Sequence, residues 1–154
     1  GEGAAPLWVA GQQGCGEAVW VLSELGANVE TPNKYGATPV FIAAQKGHVE
    51  VVRLLGELGA NMLTCMAGNG WSPLFVAAWG GHAAVVSELL KHGADPSVAT
   101  TKDHFEIPVG STALSVAQLK GHQDVIDILK ADTEHLLGRC LVEEARHLCF
   151  WYVL

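Results

Sequence analysis

Positive charge is scarce in this chain: nine Lys and Arg stand against sixteen Asp and Glu in 154 residues, a net charge of −7. No basic block or stripe occurs, so neither nucleic acid nor an anionic membrane is an expected partner; both are held through clustered Lys and Arg. No apolar run approaches the about 18 residues of a membrane span, and no signal-peptide pattern opens the sequence. The four cysteines, Cys15, Cys65, Cys140 and Cys149, have neither paired nor metal-type spacing. They are expected to be small buried or half-buried thiols in a reducing compartment, cytoplasm or nucleus. Gly-rich phosphate loops, C-x-x-C, H-E-x-x-H and G-x-S-x-G are missing as well. The expectation is a protein that is not an enzyme and takes neither cofactor nor small-molecule substrate.

What the chain does have is clearest from Gly36 to Ala60, GATPVFIAAQKGHVEVVRLLGELGA. Thr38 suits an N-cap, and Pro39 suits the first helical position, where a missing N–H costs nothing. Val40 to Lys46 makes about two turns, with small Ala43 and Ala44 allowing a neighbouring helix to approach. Gly47 takes the positive φ that stops a helix. Val51, Leu54, Leu55 and Leu58 follow as the apolar stripe of a second helix, ended by Gly59. Such a hairpin is too small to bury its own apolar face.

The hairpin recurs. Ala5-Pro6 lies 33 positions before Thr38-Pro39, and Ser72-Pro73 lies 34 after. Gly47-His48 is matched by Gly14-Cys15, Gly81-His82 and Gly121-His122; Gly59-Ala60 by Gly26-Ala27 and Gly93-Ala94. With this period and these T-P and G-A landmarks, the chain resembles the ankyrin-repeat family from about Gly3 to Lys130. The resemblance implies an all-α solenoid of stacked helix-turn-helix hairpins with projecting finger loops. The expected organisation is an ankyrin-repeat domain over 1–131, with repeats at about 3–28, 29–61, 62–95 and 96–131. A C-terminal capping helix and tail occupy 132–154, with Leu137, Leu141, Ala145 and Leu148 at helical spacing and Thr133 as its cap.

Departures from the pattern locate points of interest. The first unit is degraded, as terminal units often are, and the opening Gly1-Glu2-Gly3 is expected to be a boundary cut into a repeat. Trp20 stands where later units have Arg53 and Ser87; it either lies across the edge of the stack or packs on an upstream segment. The finger Met62–Trp71 is one residue longer than the one before it. The next finger is six residues longer still, and extra residues in one finger map to a loop on the binding edge. Phe105 and Ile107 in that loop either fold back on the fourth hairpin or face a partner. The family's T-P-L-H histidine is replaced by Trp8, Phe41, Phe75 and Ser115, so aromatics one repeat apart are expected to touch in series, either as inter-repeat packing or as a hydrophobic stripe along the concave floor.

Histidines 48, 82 and 122 recur at the repeat period. Equivalent residues of stacked repeats lie roughly 10 Å apart, whereas zinc ligands converge to about 2 Å, so no metal is expected. The resemblance implies structural histidines that hydrogen-bond the preceding turn. Asp124 with Asp127, and Glu143 with Glu144, read as solvated helix faces.

By resemblance, the chain binds another protein through finger tips and the exposed side of the first helices. Carried over position by position, that surface comprises Gln12, Gln13, Asn33, Lys34, Tyr35, Gln45, Lys46, Asn69, Trp71, Trp79, Ser111, Leu119 and Lys120. The inserted loop adds Lys102, His104 and Phe105. Two rival readings are a self-associating unit joined through Trp20 or the aromatic C-terminus, and a regulatory ankyrin segment of a larger enzyme or channel. A monomer is expected, with the C-terminal tail as the route to a homo-oligomer.

Overall fold

The structure, a computed structural model, describes residues 5–103 and 106–135. Its helices follow one another in pairs: α1 (Pro6–Gln13) with α2 (Gly16–Glu24), α3 (Pro39–Lys46) with α4 (Val49–Glu57), and α5 (Pro73–Gly80) with α6 (Ala83–Lys91). In the fourth pair α7 (Ala113–Lys120) precedes α8, whose described part is residues 123–135. The architecture is an all-α solenoid. The inner helices stack α1 on α3, α3 on α5 and α5 on α7, and the outer ones α2 on α4 and α4 on α6.

The local signals act as their chemistry requires. The Thr38 hydroxyl accepts the Phe41 N–H at 3.3 Å, Ser72 accepts from Phe75 at 3.1 Å, and Thr112 accepts from Ser115 at 3.3 Å. Ser115 reciprocates by accepting the Thr112 N–H, which completes a capping box. Ala5 has no side chain with which to cap α1. Gly47 leaves α3 at φ 79°, and the next residue returns its N–H to the Ala43 carbonyl at 3.0 Å.

The core is a ribbon between layers. Val40, Ala43, Ala44, Val51, Val52 and Leu55 of the second repeat are all buried, as are Leu74, Ala77, Ala78, Val85, Val86 and Leu89 of the third. Val52 belongs with the stripe of Val51 and Leu55, whereas Leu54 and Leu58 are only half-buried. An outer helix here packs on its own inner helix and on both neighbours, so its apolar face is wider than one stripe.

A backbone hydrogen bond closes the base of each finger: Asn33 N–H to Ala37 O, Met66 N–H to Trp71 O, and Thr100 N–H to Ser111 O, the last joined by Gly110 N–H to Thr100 O. These closures span four, five and eleven positions. The residue added to the second finger and the six added to the third therefore lie inside the loop tips, and the helices keep their register. In the third finger Ile107 is buried, so it folds back; Phe105 lies outside the described residues. Thr100 Oγ1 and Ser111 Oγ both donate to the Pro108 carbonyl, at 3.1 and 2.7 Å, which ties the loop to its base.

Three expectations are corrected. Thr133 does not cap a separate helix. α8 runs unbroken through it, and its hydroxyl donates to the Leu129 carbonyl at 2.8 Å, a bond made inside a helix. The remainder of the expected capping helix, with Leu137 to Leu148, lies outside the described residues. Cys15 is exposed rather than buried, because it occupies a helix-capping corner with no described repeat stacked over it. Cys65 is half-buried, and that burial pushes its thiol pKa up. The aromatics do not form a series along the stack: among the described residues the ring partners of Phe75 are Trp71 and Trp79, both in its own repeat.

Candidate functional site

Histidines at the start of the outer helices hold successive repeats together. Nε2 of His48 lies 3.1 Å from the Gln12 carbonyl oxygen, His82 3.2 Å from Gln45, and His122 3.0 Å from Trp79. The turn they bond is therefore that of the preceding repeat. The imidazoles also pack close against that repeat's turn glycine: a Cβ at Gly14, Gly47 or Gly81 would meet the ring at 2.6, 2.7 or 2.8 Å. Each histidine is thus committed to a backbone carbonyl in a different layer. Among the described residues no group of His, Cys, Asp and Glu is placed to hold a metal.

The carbonyls so bound belong to residues at the ends of α1, α3 and α5, which fixes the side chains they carry. Gln13, Gln45, Lys46, Leu119 and Lys120 are exposed there, and Gln12 and Trp79 are half-buried. On the fingers Lys34, Tyr35 and Lys102 are exposed. Asn33 and Asn69 are half-buried and serve the turns. Asn33 Oδ1 accepts the N–H groups of Tyr35 and Ala37 at 2.9 and 3.0 Å, and Asn69 Oδ1 accepts that of Trp71 at 3.1 Å. Ser111 is corrected as an exposed contact residue: it is 8% exposed and bonded within the loop base. His104 and Phe105 lie outside the described residues.

The most concentrated chemistry sits on the third repeat. Trp71 emerges from the finger base immediately before the Ser72 cap, and Phe75 and Trp79 follow on one face of α5. Trp71 lies 5.3 Å from Trp79 and 5.6 Å from Phe75, centroid to centroid, with both pairs tilted; Phe75 meets Trp79 edge-on at 6.3 Å. Such tilted and edge-on arrangements suit the ring quadrupoles. The slot of Trp71 is not an exposed one, since its equivalent Ala37 is buried, and Trp71 itself is half-buried against the core. From the fourth repeat Lys120 places Nζ 5.1 Å above the Trp79 ring, within cation–π range. Glu106 of the inserted loop reaches the same ammonium at 3.7 Å. Glu106 had no signal in the sequence, because only the fold-back of the loop brings it to Lys120.

The family model for ankyrin repeats in three copies matches residues 1–64 and 58–137, which together span most of the chain. The chain belongs to the ankyrin-repeat family. Ankyrin repeats are in general protein–protein interaction modules and are typically non-catalytic. No curated protein matches the chain in sequence. No helix among the described residues is long and apolar enough to cross a membrane.

Proposed function

We propose that this ankyrin-repeat chain binds one partner protein across the ends of its inner helices and its finger loops, and acts by binding rather than catalysis. The observation that carries this reading is the Trp71–Phe75–Trp79 cluster with Lys120 over its outer ring. Rigid, half-exposed tryptophans beside a cation resemble the anchors on which interface energy concentrates. Exposed Lys46 and Gln45 on the second repeat and Leu119 on the fourth extend the surface to either side, giving an apolar centre with a polar rim. Tyr35, with Lys34 Nζ 5.1 Å from its ring, offers a second aromatic contact at a finger tip. The protein acts as a monomer on this reading, in the cytoplasm or nucleus.

The test is capture by the immobilised chain of proteins from a lysate, followed by affinity measurement on the protein identified. Trp79→Ala and Lys120→Glu should each weaken binding by about 2 kcal/mol or more. Glu50→Gln and Asp124→Asn, exposed on α4 and α8, should leave it within about 0.5 kcal/mol. Glu88 is unsuitable as a control, because its carboxylate is largely buried and paired with Lys91 and His92. Equal losses on both faces, with folding unchanged by circular dichroism, would discard the reading.

A further inference from the structure

We propose that the outer face of the first hairpin is a second docking surface, for a partner-protein segment that carries a bulky apolar side chain flanked by Lys or Arg. An open cleft of about 440 Å³ lies where the end of α2 meets the first finger and the end of α4, lined by Trp20, Ser23, Glu24, Val29 and Leu58 among others. Trp20 is 48% exposed, Val21 on the same helix is 47% exposed, and Leu25 at the helix's C-cap is 78% exposed. The equivalents of Trp20 in the next two repeats are Arg53 and Ser87. Stacking therefore does not require an indole at this position. Exposed apolar side chains gathered beside a cleft in this way mark a contact surface.

The charge around the cleft specifies the occupant. Glu24 lines it, Glu30 is the neighbour of Val29, and Glu57 is the neighbour of Leu58. Arg53 on α4 is already held by both Glu50 and Glu57. Those carboxylates hold the Arg53 pKa above its ordinary value, and Arg53 holds that of Glu50 below. Glu30 Oε1 already accepts the Asn61 N–H at 2.6 Å, and among the described residues no cation pairs with the exposed Glu24. An apolar side chain can enter beside Trp20 while a flanking Lys or Arg meets Glu24 and caps the indole face. Nucleic acid or an anionic lipid surface would meet these carboxylates with like charge.

The probes are an amphipathic lysine–leucine peptide and its glutamate–leucine counterpart. The intact chain is titrated with each, following tryptophan indole resonances by NMR and affinity by calorimetry. The lysine peptide alone should shift the Trp20 resonance. Trp20→Ala and Glu24→Lys should each weaken its binding about tenfold, and Trp79→Ala should leave it unchanged, which separates this surface from the one on α5. Both altered positions are exposed, and Glu24→Lys leaves the apolar patch intact, so a fold lost in one variant does not remove the other. Equal binding of the two peptides overturns the proposal. So do unchanged affinities in both variants, or shifts at Trp71 and Trp79 in place of Trp20. A concentration-dependent rise in mass that Trp20→Ala abolishes would give the face to a second copy and overturn it as well.

Discussion

Nε2 of His82 lies 3.2 Å from the carbonyl oxygen of Gln45, 37 residues earlier and one repeat back. A carbonyl can only accept, so Nε2 carries the proton, and the side chain joins two layers that are far apart in sequence. His82→Phe keeps a ring on Gly47 and removes the donor, leaving the Gln45 carbonyl without this partner. A loss of about 1–3 kcal/mol in urea unfolding is expected. Gly47→Ala should cost at least as much, since its Cβ would meet the imidazole at 2.7 Å on a backbone at φ +79°. Two wild-type unfolding curves would refute the interlayer bond.

Leu55 and Ile107 test the core at its centre and at its least regular point. Both are essentially fully buried, one in α4 and the other in the inserted loop. Leu55→Ala should cost about 2–5 kcal/mol, and because each repeat is supported only by its neighbours, the loss should fall on the whole array. Ile107→Ala should cost about the same if the loop is a packed part of the fourth repeat. A change under about 0.5 kcal/mol would mean that the loop does not pack in solution.

Trp71 and Trp79 form a coupled pair rather than two separate anchors. A double-mutant cycle on stability with Trp71→Ala and Trp79→Ala should return about 0.5–1.5 kcal/mol of interaction energy. Additive losses would contradict the 5.3 Å ring contact.

Asp95 gives a pH dependence whose sign is set. Its carboxylate accepts the Ser97 hydroxyl at 2.6 Å and the Ser97 N–H at 2.8 Å, and these bonds hold its pKa below the ordinary carboxylate value, the hydroxyl contributing most. The stabilisation is present above the unfolded-state pKa of about 4 and is lost as pH falls through the lower folded value. Ser97→Ala should therefore reduce stability at neutral pH, with the difference shrinking on acidification. Asp95 is almost fully open to solvent, so screening keeps the effect below about 1 kcal/mol. A difference that grows on acidification would contradict the assignment.

The repeat, its caps and its turns were legible because they rest on local chemistry. Thr38, Ser72 and Thr112 cap the helices that follow them, and Gly47, Gly81 and Gly121 end them at positive φ. Each of these residues acts on backbone within a few positions of itself, where spacing is sufficient to read. Thr133 misled for the same reason. Its hydroxyl can serve a cap or an i−4 carbonyl, and only the continuity of α8 selects the second.

Relations across layers were set by the tertiary structure. Sequence alone determined that the chain is a stack of helical hairpins, where its fingers lengthen, and that its histidines recur with the period. Stacking decided that those histidines bond the preceding repeat, that Phe75 meets Trp71 and Trp79 instead of Phe41, and that Glu106 reaches Lys120. It also buried Ser111, left Cys15 exposed and opened the cleft beside Trp20. Local bonds depend on separation along the chain, which the sequence carries. Contacts between layers depend on helix rotation and on the path of the loops, which are settled only when the apolar faces close against one another.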